Sequence, residues 1–338
     1  MADSNTAALV GSDTLLGREI RDIVGTSATG IELRLIAESE EEEGTLTRVG
    51  DEPAIAEVLN DESLDGARVI FLAASGEINR KALDLAGDPP DAAIVDLSYA
   101  AEERPDARLR APSIEDGYNV EENRDAAVHV IAHPAAIAAA MFLRRLQRND
   151  PIRRSILNIF MPASEQGTKG VEELQQQTVS LLSFKPLPKT VFDAQASFAL
   201  LPQFGEDAPA TIEESELRIE RHLATLLDLP GEGEGAPMPS LRVIHAPVFH
   251  GYSFSAWVEF EEAPVIEAIE NSLQMDAIDV RGADMEPPNN VGQAGQSGIS
   301  VGSIVPDRND SDAVWFWFVA DNLRVSAENA VAVAMELL

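Results

Sequence analysis

The chain has 338 residues, and at about 150 residues per domain that length points to two domains. Its 58 acidic residues against 25 basic ones leave a formal net charge of −33, which repels phosphate backbones and anionic lipid heads, so nucleic acid and membrane surfaces are not expected partners. Apolar residues at 45% and charged residues at 25% describe a globular chain able to bury a core, and zero cysteines exclude disulfides, thiolate metal sites and any cysteine nucleophile.

The opening residues lack the basic and apolar regions of a secretory leader, and no stretch approaches eighteen uninterrupted apolar residues; a cytoplasmic location is expected. Residues 6–10 are an apolar run that breaks into Gly11-Ser12-Asp13-Thr14-Leu15-Leu16-Gly17 and continues as the helical pattern 18–24, which reads as strand, tight turn and helix. A second strand is predicted over 31–37, ending in Glu38-Ser39-Glu40-Glu41-Glu42-Glu43, where like charges favour a solvated loop. Runs at 69–74, 93–97 and 128–132 add strands, with a helix predicted over 78–86. Such alternation implies a parallel sheet with crossover helices.

From residue 156 the texture changes to longer runs, 155–161, 241–248, 253–260 and 313–320, separated by polar helices. They predict a mixed or antiparallel sheet in a second domain. The segments 230–237 and 287–292 are loops by composition. The alanine-rich helix predicted over 325–338 is apolar on more than one face, as a helix returning to pack on the first domain would be.

Gly11-x-x-Thr14-x-x-Gly17 sits where a dinucleotide-binding turn belongs, between a first strand and a first helix. Thr14 brings a β-branched side chain to the close-approach position and Asp13 adds negative charge near where phosphates would lie. Two readings stand, a weakened cofactor site or a turn that only keeps the fold. The five histidines, His129, His133, His222, His245 and His250, form no zinc pattern, so no metal is expected. There is no G-x-S-x-G, and Ser253 has no evident partner. Trp315-Phe316-Trp317-Phe318 reads as core rather than as a stacking platform.

Taken together, the motifs resemble those of the aspartate-semialdehyde dehydrogenase family, in the same order from end to end. Gly11 to Gly17 stands where that family has Gly-x-x-Gly-x-x-Gly, Val95-Asp96-Leu97-Ser98 resembles its Ile-Asp-x-Ser, and Pro105-Asp106-Ala107-Arg108-Leu109 its Pro-Asp-Val-Pro-Leu. Ser164-Glu165-Gln166-Gly167 and the following residues to Leu174 are similar to its Ser-Gly-x-Gly helix start. Leu201-Pro202, Thr211-Ile212-Glu213-Glu214, Ala246-Pro247-Val248 and Asp321-Asn322-Leu323-Arg324 complete the series. The resemblance implies an α/β chain with an N-terminal doubly wound Rossmann-type parallel sheet and an α+β C-terminal domain with a mixed or antiparallel sheet. Its expected divisions are 1–134 with 322–338 for the cofactor-type domain, and 135–321 for the substrate and dimerisation domain.

In that family a thiolate attacks an aldehyde, hydride passes to NADP and phosphate cleaves the thioester, with a histidine as acid and base. The nucleophile position falls on Ala136 in His133-Pro134-Ala135-Ala136, and the histidine position on Tyr252 in Gly251-Tyr252-Ser253. The carboxylate-gripping arginine falls on His245, the phosphate-binding arginine on or near Glu102, the glutamine on Met161, and the Glu-x-x-Lys pair on Glu213 and Glu216. Cofactor positions implied by the resemblance are Gly11, Ser12, Asp13, Thr14, Leu15, Leu16 and Gly17, with Glu38, Ser75 and Asn322. Acid after the second strand makes NAD the expected cofactor over NADP if either binds.

The leading expectation is a catalytically silent paralogue that keeps the fold and the homodimer and acts through binding or assembly. The alternative is an NAD(P)-dependent oxidoreductase acting on an aldehyde or oxo group with Tyr252, His245 and His250 in a remodelled pocket. The homodimer is expected through residues 156–320, where the run 314–319 has both alternate faces apolar. The competing reading folds the loop 287–298 over that face in a monomer.

Overall fold

Short runs with every residue buried, as at β1 (Thr6–Val10), are what a parallel strand covered on both faces requires. A computed structural model of the chain describes residues 5–27, 29–38, 44–50, 52–88, 90–115, 123 and 125–338. It divides into two units, Met1–Ala132 with Ser326–Leu338, and His133–Val325.

In the first unit β1 leads into α1 (Leu15–Thr26) and β2 (Glu32–Ile36), followed by the hairpin of β3 (Leu46–Val49) and β4 (Glu52–Ile55). After α2 (Asp61–Leu64) come β5 (Val69–Leu72), α3 (Gly76–Ala86), β6 (Ala93–Asp96), β7 (Ala107–Arg110) and β8 (Val128–Ile131). The sheet order is β2-β1-β5-β6-β8-β7 and every pairing is parallel. Because the chain leaves β1 toward one edge and β5 toward the other, the carboxyl ends of β1 and β5 form the topological switch point. The predicted strand 69–74 ends at Leu72, since the Ala74 N–H turns to the Asn79 side chain and the Ser75 N–H to Glu38.

The second unit runs α4 (Pro134–Asn149), β9 (Ile152–Met161), a single 3-10 turn (Ala163–Gln166), α5 (Gly167–Leu182), α6 (Ile212–Leu227), β10 (Ser240–His245) and β11 (Tyr252–Phe260). It continues with α7 (Ile266–Leu273), β12 (Ile278–Val280), α8 (Asn290–Gln293), β13 (Ile299–Pro306), β14 (Ala313–Ala320) and the start of α9 (Asn322–Leu337). The mixed sheet has the order β10-β9-β11-β14-β13-β12, with parallel pairs only at its two edges. The predicted strand 241–248 stops at His245, because Ala246 turns its N–H to Met161 and Pro247 has none to offer. The last helix begins three residues before the predicted 325, because the Asp321 carboxylate accepts from the Leu323 and Arg324 amides.

Alternation along β14 separates two faces. Phe316 and Phe318 point inward against Phe142 of α4, and Phe318 stacks on Phe254 at 4.2 Å. On the opposite face, register aligns Ile156, Trp257 and Trp315 in one row across β9, β11 and β14. The indoles of Trp257 and Trp315 both donate to the Asp307 carboxylate, while Ile156 remains 44% and Trp315 38% exposed. The expectation that the whole aromatic run is core therefore holds for its phenylalanines and not for Trp315. Part of the loop 287–298 does reach this face, where the Trp317 indole donates to the Pro288 carbonyl, but the row through Ile156 and Trp315 stays accessible.

Candidate functional site

Pro134 at the first position of α4 is preorganised for a helix start, and the residue before it, His133, becomes the N-cap. Its Nδ1 accepts from the Ala135 N–H at 3.2 Å, while its own backbone N–H donates to His222 Nδ1 of α6 at 2.9 Å. With Nδ1 an acceptor, the ring proton belongs on Nε2, which donates to Glu165 Oε1 at 2.9 Å. The other oxygen of that carboxylate accepts from the Tyr252 hydroxyl at 2.8 Å. His133 and Tyr252 are fully buried, and their rings meet edge to face.

Glu165 rides on the 3-10 turn after β9, and Tyr252 opens β11. Asn322 ties these two segments together, accepting from the Gly251 N–H at 3.0 Å and donating to Ser164 Oγ at 3.1 Å. Burial opposes charge on Glu165, but His133, the two side-chain hydrogen bonds and the Arg218 guanidinium outweigh it and hold the carboxyl below its usual range. The result is a fixed anion with its donors already engaged. Ala136 lies fully buried in the first turn of α4 and offers only a methyl group where the resemblance puts a thiolate.

His245 is also fully buried, between the rings of Phe192 at 4.7 Å and Phe204 at 5.5 Å. Neither ring nitrogen has a hydrogen-bond partner, and burial pushes the imidazole down to about 4. At neutral pH it carries no charge with which to grip a carboxylate. Met161 is paired with it across β9 and β10 and is equally buried. Glu216 spends its carboxylate on the Val243 N–H at 2.7 Å and faces Arg242, while Glu213 is exposed on the first turn of α6. Glu102 belongs to the first unit, in a turn where its N–H donates to the Tyr99 carbonyl.

At the switch point of the first unit, Gly11 has φ +84° and passes so close to the β5 connection that a Cβ would lie 2.5 Å from the Ala74 nitrogen. Gly17 is as constrained, since its Cβ would fall 2.0 Å from the Gly11 carbonyl. Thr14 caps α1: its hydroxyl accepts from the Gly17 N–H and reaches the carbonyls of Gly11 and Ala73. The Gly11 and Ser12 amides both donate to the Ile36 carbonyl, and Arg21 reaches the Ser12 carbonyl. Leu15 and Leu16 are half-buried at the helix start. The Asp13 carboxylate accepts from the Glu38 N–H at 2.9 Å, and the Glu38 carboxylate accepts from the Ser75 N–H at 2.8 Å. The carboxylate expected to meet a ribose thus accepts from the Ser75 N–H through Oε1. Ser39 to Glu43 lie outside the described residues.

His133, Glu165 and His222 were not singled out as site residues by sequence reasoning; the only signal was Glu165 itself, an acid where the resembled helix start has glycine. Among the described residues, no group of three or more histidine or acidic side chains is placed to hold a metal ion, and no helix is long and apolar enough to cross a membrane.

Comparison with known proteins adds a lineage to this geometry. The semialdehyde dehydrogenase dimerisation domain matches residues 143–325. An aspartate-semialdehyde dehydrogenase of Rickettsia bellii is 26% identical, with 100% of this chain and 99% of that protein covered. A USG-1 protein homologue of Pseudomonas aeruginosa is 32% identical, over 79% of this chain and 78% of its own length. The solved structure of a probable aspartate-semialdehyde dehydrogenase from Pseudomonas aeruginosa superposes with a TM-score of 0.77 at 26% identity, covering 97% of this chain and 96% of that one.

Proposed function

The chain belongs to the semialdehyde dehydrogenase family, and from that premise we propose that it is a catalytically silent member which keeps the dimerisation domain and acts as a homodimer through binding or assembly. The observation that carries this reading is Ala136: a methyl group stands at the implied nucleophile position, at the start of α4, in a chain without a single cysteine. Thioester formation needs a nucleophile that leaves as readily as it attacks, and no buried alanine supplies one. The acid and base role falls to a phenol that already donates to Glu165. The cationic grip on substrate and phosphate is replaced by His245, Glu102 and Glu216, and each lost charge-assisted contact is worth about 1.5–3 kcal/mol. The remodelled-pocket oxidoreductase keeps less support, because the Tyr252 hydroxyl is already given to Glu165 and the His245 ring is enclosed between Phe192 and Phe204.

The test is phosphate-dependent reduction of NADP with aspartate semialdehyde, using protein free of host enzyme. No turnover above a heat-killed control is expected, and Ala136→Cys alone stays inactive, since Tyr252, His245 and Glu216 leave the other roles unfilled. Turnover by either protein ends the proposal.

A further inference from the structure

We propose that Asp13 and Glu38 are specificity-determining residues that close the switch-point crevice of the first unit to dinucleotides, by placing the chain's own carboxylates where a phosphorylated ligand would be received. The turn still has the backbone such a ligand needs. Gly11 and Gly17 are positions where no side chain fits, and α1 and α3 begin beside it, each offering the positive end of a helix. What has changed is who occupies the donors. The Glu38 carboxylate sits on the N–H of Ser75, the N-cap residue of α3, at 2.8 Å. Asp13 holds Glu38 in place through its backbone N–H at 2.9 Å, so that β2, the glycine turn and the β5 connection are laced together by two acids.

The consequences follow from charge and from occupancy. A pyrophosphate brought to the start of α1 meets the half-buried Asp13 carboxylate, and like charges there repel. An adenosine ribose brought to the end of β2 finds the Glu38 carboxylate drawn to the Ser75 N–H through Oε1, so that its hydroxyls have only the remaining lone pairs of a carboxylate already held in place. The exclusion applies to NAD as well as NADP, because the pyrophosphate is common to both. It concerns binding in the first unit and is independent of Ala136 in the second, so neither result decides the other.

Isothermal titration calorimetry of the full chain with NADP and with NAD tests this. The unaltered protein is expected to show no saturable heat with either ligand at millimolar concentration. The double variant Asp13→Ser with Glu38→Ser is expected to bind at least one of them at least tenfold more tightly. A second pair, Asp13→Asn with Glu38→Gln, keeps the size and the acceptors but removes the charge, and guards against a loop that collapses in the serine protein; a gain in either pair, in protein whose melting temperature is preserved, supports the proposal. Micromolar binding by the unaltered protein overturns it. So does the absence of any gain in both folded pairs.

Discussion

A fully buried imidazole with two unmet nitrogens forfeits hydrogen bonds it would make with water, at a cost of about 1–3 kcal/mol, and His245 is in that position between Phe192 and Phe204. Burial also fixes how the cost changes with pH. The unfolded chain takes up a proton near its ordinary value of 6.5, whereas the folded chain resists until about 4. The contribution to stability is therefore complete above pH 6.5 and is lost as pH falls from 6.5 toward 4. His129, buried beside Arg110 and also pushed down to about 4, acts with the same sign. Replacing His245 by leucine, close to it in volume, removes both the unmet nitrogens and one titration. Urea denaturation should show His245→Leu more stable by about 1 kcal/mol at pH 7, with a smaller loss between pH 7 and pH 5 than the parent. A less stable variant would mean that the ring has a partner in solution.

At the scale of one element, the end of α5 shows a local conformation that no residue type announces. The Lys185 N–H reaches back to the Ser180 carbonyl and the Phe184 N–H to the Leu181 carbonyl, the double closure of a Schellman motif. Such a closure puts the residue after the cap in the left-handed region, and Phe184 has φ +55°. Glycine normally takes that place because a Cβ there is strained. The Phe184 side chain is 98% exposed, so it recovers nothing by packing within the chain. Phe184→Gly is expected to raise stability by about 0.5–1 kcal/mol, while Phe184→Ala leaves it nearly unchanged, and thermal unfolding separates the two. Destabilisation by glycine would show the ring to be covered in solution.

For the molecule as a whole, the mixed sheet is the surface through which association is expected. One face is filled by α4 and its neighbours, and the other carries the row Ile156, Trp257 and Trp315 within the matched dimerisation domain. Indoles partly left in water on a sheet face favour a partner that buries them, and a net charge of −33 makes unspecific association costly, so a homodimer is expected to cover this row. Light scattering should give twice the chain mass of 36.4 kDa. Ile156→Asp with Trp315→Asp should shift it toward a single chain without unfolding, because both positions are partly exposed and their neighbours inward are untouched. A persistent single-chain mass for the parent would leave the dimer without support.

The order of elements, the two kinds of sheet, the glycine turn and the loss of the nucleophile were all legible in the sequence, since each rests on local pattern: apolar runs, periodicity, or one residue type at one place in a motif. The edge strands β7 and β12, and β13 beside β12, escaped it, being short or interrupted by serine and glycine, with their pairing set by neighbours distant in the chain. The meeting of His133, Glu165 and Tyr252 was equally out of reach, because 32 and 87 residues separate the partners and only the pairing of β9 with β11 brings them together. The same holds for Glu38 and Ser75, which are adjacent only because β2 and β5 flank β1. Sequence by itself determined which residue types stand at the positions the resemblance marks; tertiary structure decided what those side chains contact, because hydrogen bonds between distant side chains exist only once the sheets have fixed their register.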